Sequence, residues 1–106
     1  MANTIAFGNL ERLQQLYTAG FQDTFLDNAL RKVIERQLER DEADLQRVNE
    51  ALAAFERQYS LHTDEFWQKY QSGQLVDSAD FMEWNAFCKM RQRLTTRLKI
   101  LRGRSA

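Results

Sequence analysis

The 106 residues are 43% hydrophobic and 28% charged, the balance of a single folded domain and not of a disordered chain. No apolar run approaches the roughly 20 residues a bilayer span needs, MANTIAFGNLERL lacks the basic start and apolar stretch of a leader, and one cysteine, Cys88, cannot form an internal disulfide or a zinc cluster. A cytoplasmic protein without membrane contact is expected. Net charge is zero, yet residues 1–83 hold 8 basic and 15 acidic side chains while residues 84–106 hold 7 basic and none acidic, a split of −7 and +7.

The absence of proline and the presence of only four glycines leave few helix breakers. Asn9 before LERLQQLY reads as an N-cap, with Leu10, Leu13, Leu16 and Tyr17 at helical spacing. Gly20 stops this first helix, and Phe21 falls where the apolar contact of a glycine C-cap would meet Leu16. Asp23 or Thr24 can cap the next helix.

That second helix should run from about 24 to 59, uninterrupted by glycine or proline. Leu38, Leu45, Leu52 and Tyr59 repeat every seven residues, interleaved with Ile34, Asp41, Val48 and Phe55, which is a coiled-coil-like seam. At 1.5 Å per residue such a helix is about 54 Å long, against a radius of gyration near 13 Å for a compact chain of this size. It is therefore expected to protrude and to require a second copy or a partner. Asp41 interrupts the seam; it either sets register, with Arg91 as its partner, or marks where the seam turns to solvent.

SLHT breaks the pattern, with His62 in the turn, and Thr63 followed by Asp64 and Glu65 reads as a cap opening a short helix, DEFWQKYQS, that Gly73 ends. Phe66, Trp67 and Tyr70 give this helix one aromatic side. Asp77 or Ser78 caps the last helix, expected over about 79–102, with Trp84, Phe87, Leu94, Leu98 and Leu101 on its seam and Arg91 intruding. Residues 103–106 should form a frayed tail.

The residues exclude more chemistry than they suggest. Asp77, Asp80 and Glu83 are explained by the unpaired amides and dipole of a helix start, and the single histidine, His62, leaves no second half for a bundle metal site. Cys88, between Phe87 and Lys89 and near Met90, reads as a structural thiol. There is no phosphate-cradling glycine loop and no nucleophile elbow. No cofactor or metal is expected, and no enzymatic activity. The basic strip Lys89, Arg93, Arg97 and Arg104 could contact phosphates or, if the last helix folds back antiparallel, could run beside Glu35, Glu39, Asp41, Glu42 and Asp44.

The segment YSLHTDEFWQKYQSGQLVDSADFMEWNAFCKMRQRL resembles small helical prokaryotic proteins of the antitoxin-like kind found in two-gene toxin–antitoxin modules. A tyrosine, an EF pair, a glycine turn, an acidic D-x-x-DFxEW stretch and a basic amphipathic helix carry the likeness, at Glu65, Phe66, Gly73, Asp80, Phe81, Glu83 and Trp84. It covers under half the chain and implies binding of a partner protein, such as a toxin, and no reaction. The N-terminal part has no recognisable DNA-binding module.

The expectation is an all-α protein, an elongated hairpin of the long and last helices with two short helices and coiled-coil-like packing. Its function should be non-enzymatic protein–protein interaction, with itself or a small partner; the alternative is a nucleic-acid-binding helical dimer using the basic helix. Phe66, Trp67, Tyr70, Phe81 and Trp84 are the candidate partner-binding aromatics, and Trp84 serves equally as a core residue.

Overall fold

A computed structural model describes residues 4–103, and every described element is a helix: α1 (Thr4–Thr18), α2 (Thr24–Tyr59), α3 (Thr63–Gln71) and α4 (Ala79–Leu101). The chain divides into two compact units, Met1–Lys32 and Val33–Ala106. Among the described residues no helix is long and apolar enough to cross a membrane.

In the first unit α1 begins at Thr4, so Asn9 lies inside the helix and does not cap it. The apolar spacing extends further back than LERLQQLY, since Ala6, Leu10, Leu13 and Tyr17 follow i, i+4, i+7 and i+11, although no residue of α1 is buried. The C-terminal stop is the expected one. Gly20 adopts φ +96°, which only glycine takes cheaply. The amide of Phe21 donates to the Leu16 carbonyl at 3.1 Å and that of Gly20 to Tyr17 at 3.0 Å, the two bonds of a Schellman end. Phe21 meets the ring of Tyr17 edge-on, at 6.3 Å between centroids. Asp23 caps α2 by accepting from the Leu26 amide at 3.1 Å. The Tyr17 hydroxyl donates to Asp27 at 2.6 Å, and keeping that proton beside a carboxylate pushes the phenol up to about 12.

In the second unit α4 folds back along α2. The cross-links descend one helix as they climb the other: Tyr59 with Asp80, Phe55 with Trp84 and Asp41 with Arg97; Glu42 with Arg102 joins the far end. The core is Val48 and Leu52 from α2, Phe66 from α3, and Trp84, Cys88 and Leu94 from α4. Leu98 is buried further along α4.

The centre of this core is the Trp84 indole. Phe66 stacks on it at 4.0 Å, Phe55 at 5.4 Å and Tyr59 at 5.9 Å. An indole buried this deeply needs an acceptor for its N–H, and the Thr63 hydroxyl provides it at 3.2 Å. Thr63 therefore does not cap α3. The cap position belongs to His62, whose side chain makes no capping bond. The Thr63 amide instead donates to the Glu56 carboxylate at 2.7 Å, so α2 supplies from a distance the acceptor that the local sequence does not.

Two further helix ends are conventional. Gly73 (φ +78°) closes α3, with the Gln74 amide donating to Lys69 at 2.9 Å. Ser78, of the two candidates, caps α4 by accepting from Phe81 at 3.1 Å. The end of α2 is different: Ser60 takes a left-handed φ of +50° with no glycine to mark it.

Removing the indole by Trp84→Ala should cost about 3–5 kcal/mol of unfolding free energy. Thr63→Val, which keeps the shape and deletes the acceptor, should cost about 1–3 kcal/mol. Urea denaturation followed by circular dichroism measures both.

Candidate functional site

The aromatic residues expected to bind a partner are joined by the fold, but mostly inward. Phe66 and Trp84 have no exposed surface at all. In the folded chain neither can reach a docking protein, and of the two roles open to Trp84 it fills that of core residue. Phe81, Trp67 and Tyr70 are half-buried around them, Phe81 edge-on to Tyr59 at 5.1 Å and Tyr70 stacked on Phe66 at 5.3 Å. This cluster fastens α3 onto the α2–α4 hairpin.

The three carboxylates at the start of α4 do not converge. Asp77 accepts from the Tyr70 hydroxyl at 2.8 Å. Asp80 accepts from the Tyr59 hydroxyl and, at 3.2 Å, from Gln58. Glu83 is exposed. Both phenols lose acidity because their protons are held by these carboxylates. Among the described residues no cluster of three or more His, Cys, Asp or Glu side chains could hold a metal ion. Cys88 is buried, and burial pushes its thiol up, so little nucleophilic thiolate forms.

Asp41 is fully buried and fully partnered. Arg97 approaches it with two donors, Nε at 3.0 Å from one oxygen and a terminal nitrogen at 2.5 Å from the other, and Gln37 donates to the second oxygen at 2.9 Å. The Arg97 hydrogen bonds hold its carboxyl below the ordinary value of 3.8, overcoming the opposing effect of burial, with Gln37 assisting. The expected partner, Arg91, lies instead near Asp64 at 3.5 Å. Sequence spacing placed Arg91 on the seam and Arg97 on the outer strip, but arginine reaches inward from a flanking position with its long stem. Eighteen residues before Tyr59 is Asp41, and seventeen beyond Asp80 is Arg97, so one antiparallel register serves both pairs.

The basic strip is correspondingly shortened. Arg97 belongs to Asp41, and Arg102, outside the strip, pairs with Glu42 at 2.9 Å. Lys89 and Arg93 are exposed and make no ion pair among the described residues; Arg104 lies outside those residues.

What the sequence did not reveal is a groove between α2 and α4, with a volume of about 570 Å³. Buried Val48 and Leu94 form its floor, half-buried Ala51 and Phe87 its walls, and Met90 stands exposed at its edge. Arg47, Arg93, Arg97 and Asp44 surround it, three positive charges against one negative. Only part of this charge is neutralised inside the chain, since Arg47 pairs with Asp44 and Arg97 with Asp41. An apolar trough with a basic rim can take a row of apolar side chains from another helix flanked by acids. Each residue looked like a seam or surface position on its own helix; the trough exists only once Arg97 fixes which part of α4 lies beside Asp44–Ala51.

No protein-family model matches this chain, and no curated protein or solved structure compared with it does either.

The depressed carboxyls of Asp41 and Glu56 give acid stability a definite sign. Hydrogen bonding from Thr63, its amide foremost, holds Glu56 below its ordinary value of 4.5, as Arg97 does Asp41 below 3.8. The unfolded chain binds protons at these ordinary values and the folded chain only at lower pH, so both contributions are complete above them and are lost as pH falls toward the folded values. Unfolding free energy should be level from about pH 7 to 5 with respect to these groups and fall below it. Urea melts across that range should show Glu56→Gln and Asp41→Asn each less stable at pH 7 and each with a shallower acid decline.

Proposed function

We propose that this chain is a non-enzymatic protein–protein interaction protein that receives an amphipathic, acid-flanked helix in the groove between α2 and α4. The observation that supports it is the apolar trough of Val48, Ala51, Phe87, Met90 and Leu94 under a rim of arginines. A two-helix hairpin buries only the sides that face each other, and a third helix completes the packing. α3 does so at the aromatic end alone, where Phe66 lies on Trp84. Neutralising a small partner protein in the antitoxin-like manner is the sharpest form of this reading.

Polypeptide is favoured over nucleic acid by the fate of the basic helix. Duplex binders of appreciable salt dependence use some 6–10 phosphate contacts. Of the strip expected to make them, Arg97 is committed to Asp41, and Lys89 and Arg93 alone are left among the described residues.

The reading is tested with an environment-sensitive fluorophore on Met90→Cys in a Cys88→Ala background, at nanomolar protein. A designed amphipathic helix with glutamate flanks should shift the emission and bind roughly tenfold or more tighter than the same helix with lysine flanks. Arg93→Glu should erase that preference. No response to either helix, or saturable duplex DNA binding that falls steeply with salt, would contradict the proposal.

A further inference from the structure

Beside its core seam, α2 carries a second row at the same 4-3-4-3-4 spacing: Val33, Gln37, Arg40, Asp44, Arg47 and Ala51. This row borders the groove through Asp44, Arg47 and Ala51. It is largely uncovered: Val33 is 68% exposed, Arg40 and Arg47 are exposed, and Gln37, Asp44 and Ala51 are half-buried. Val33 stands at the end of this regular helical row as an apolar side chain that the folded monomer leaves exposed.

The row is complementary to its own reverse. Laid antiparallel on a second copy about an axis between positions 40 and 44, it sets Arg40 opposite Asp44, Gln37 opposite Arg47 and Val33 opposite Ala51. A two-fold axis makes each of these pairings twice. The parallel arrangement would set Arg40 on Arg40 and Asp44 on Asp44, so charge alone selects the antiparallel one. The segment Val33 to Asp44 holds five acidic and two basic residues; Asp41, Glu42 and Asp44 pair within the chain, and the net acidity of the segment suits Arg93, the rim arginine that makes no ion pair among the described residues.

We propose that the helix received in the groove belongs to a second copy of this chain. The two α2 helices cross antiparallel about that axis, and Val33 of each copy seats over Ala51, Phe87 and Met90 of the other. This inference rests on the groove reading above and names its occupant. Four otherwise exposed or half-exposed apolar side chains per copy are then covered, and Arg40, which makes no ion pair among the described residues, gains a carboxylate.

The test is sedimentation equilibrium on the full chain and three charge variants, with circular dichroism verifying that each is folded. The unaltered chain should be a dimer at micromolar concentration. Arg40→Asp and Asp44→Arg each place like charge on like and should each weaken the dimer roughly tenfold or more, whereas the double exchange restores the opposite-charge pairs and the dimer. A second readout is independent of charge: in a Cys88→Ala background, Val33→Cys mixed with Ala51→Cys should form a mixed disulfide, and neither should cross-link efficiently to itself. A dimer indifferent to both single variants, with no mixed disulfide, would place the contact elsewhere and overturn the inference. A monomer at about 100 μM would overturn it as well; the fluorophore titration with the designed helices then shows separately whether the groove reading stands.

Discussion

A carboxylate without exposed surface is the condition on which the α2–α4 hairpin rests. Removing Asp41 from water is costly unless its charge is met by donors in good geometry, and Arg97 and Gln37 meet it with three hydrogen bonds. The observed placement of α4 along α2 allows this. Apolar seams tolerate sliding by a turn, because one leucine resembles another, whereas Asp41 needs an arginine at its level, and the placement that supplies Arg97 also pairs Glu42 with Arg102. The ion pair thus contributes specificity of register, as polar residues on coiled-coil seams do.

Register at the opposite end of the hairpin is held by shape. Phe55, Tyr59 and Phe66 close around Trp84, Thr63 accepts the indole proton, and Glu56 accepts from the Thr63 backbone amide. The Glu56 carboxylate thus gives one amide of the α3 start an acceptor although His62 provides no side-chain cap. With the ion pair at one end and the aromatic stack at the other, nine-residue α3 covers only the aromatic end. The trough over Val48 and Leu94 is the consequence, and the proposed function grows from that uncovered middle.

The long-range periodicity was readable from the chain alone. The bounds of α2, 24 to 59, follow from a seam in constant phase with no breaker, and those of α4 from Ser78 and Gly103, to within one residue. The glycine ends at Gly20 and Gly73 were equally plain, because a left-handed residue there is written in the composition. Ser60 reaches the same conformation without glycine, and α1 runs from Thr4 through an apparently good cap at Asn9. The misassignments at Thr63 and Asp41 share a physical origin. Each polar group took a partner from a different helix, Trp84 in one case and Arg97 in the other, and local spacing contains no information about distant donors until the helix register is known. Among the site residues, Phe66 and Trp84 were recognisable as anchors but not as interior ones, since large aromatics dominate cores and interfaces alike.

The central claim, that the Asp41 carboxylate and Arg97 act as one unit fixing α4 on α2, is tested most directly by a double-mutant cycle. Asp41→Asn, Arg97→Gln and the double variant would be compared with the unaltered chain by urea denaturation at pH 7 and low salt. The account predicts strong non-additivity, each single variant losing nearly as much stability as the double, because either change leaves the other group without its counterpart. Losses that simply add would show that the two side chains contribute independently and that the register is set by the apolar seam.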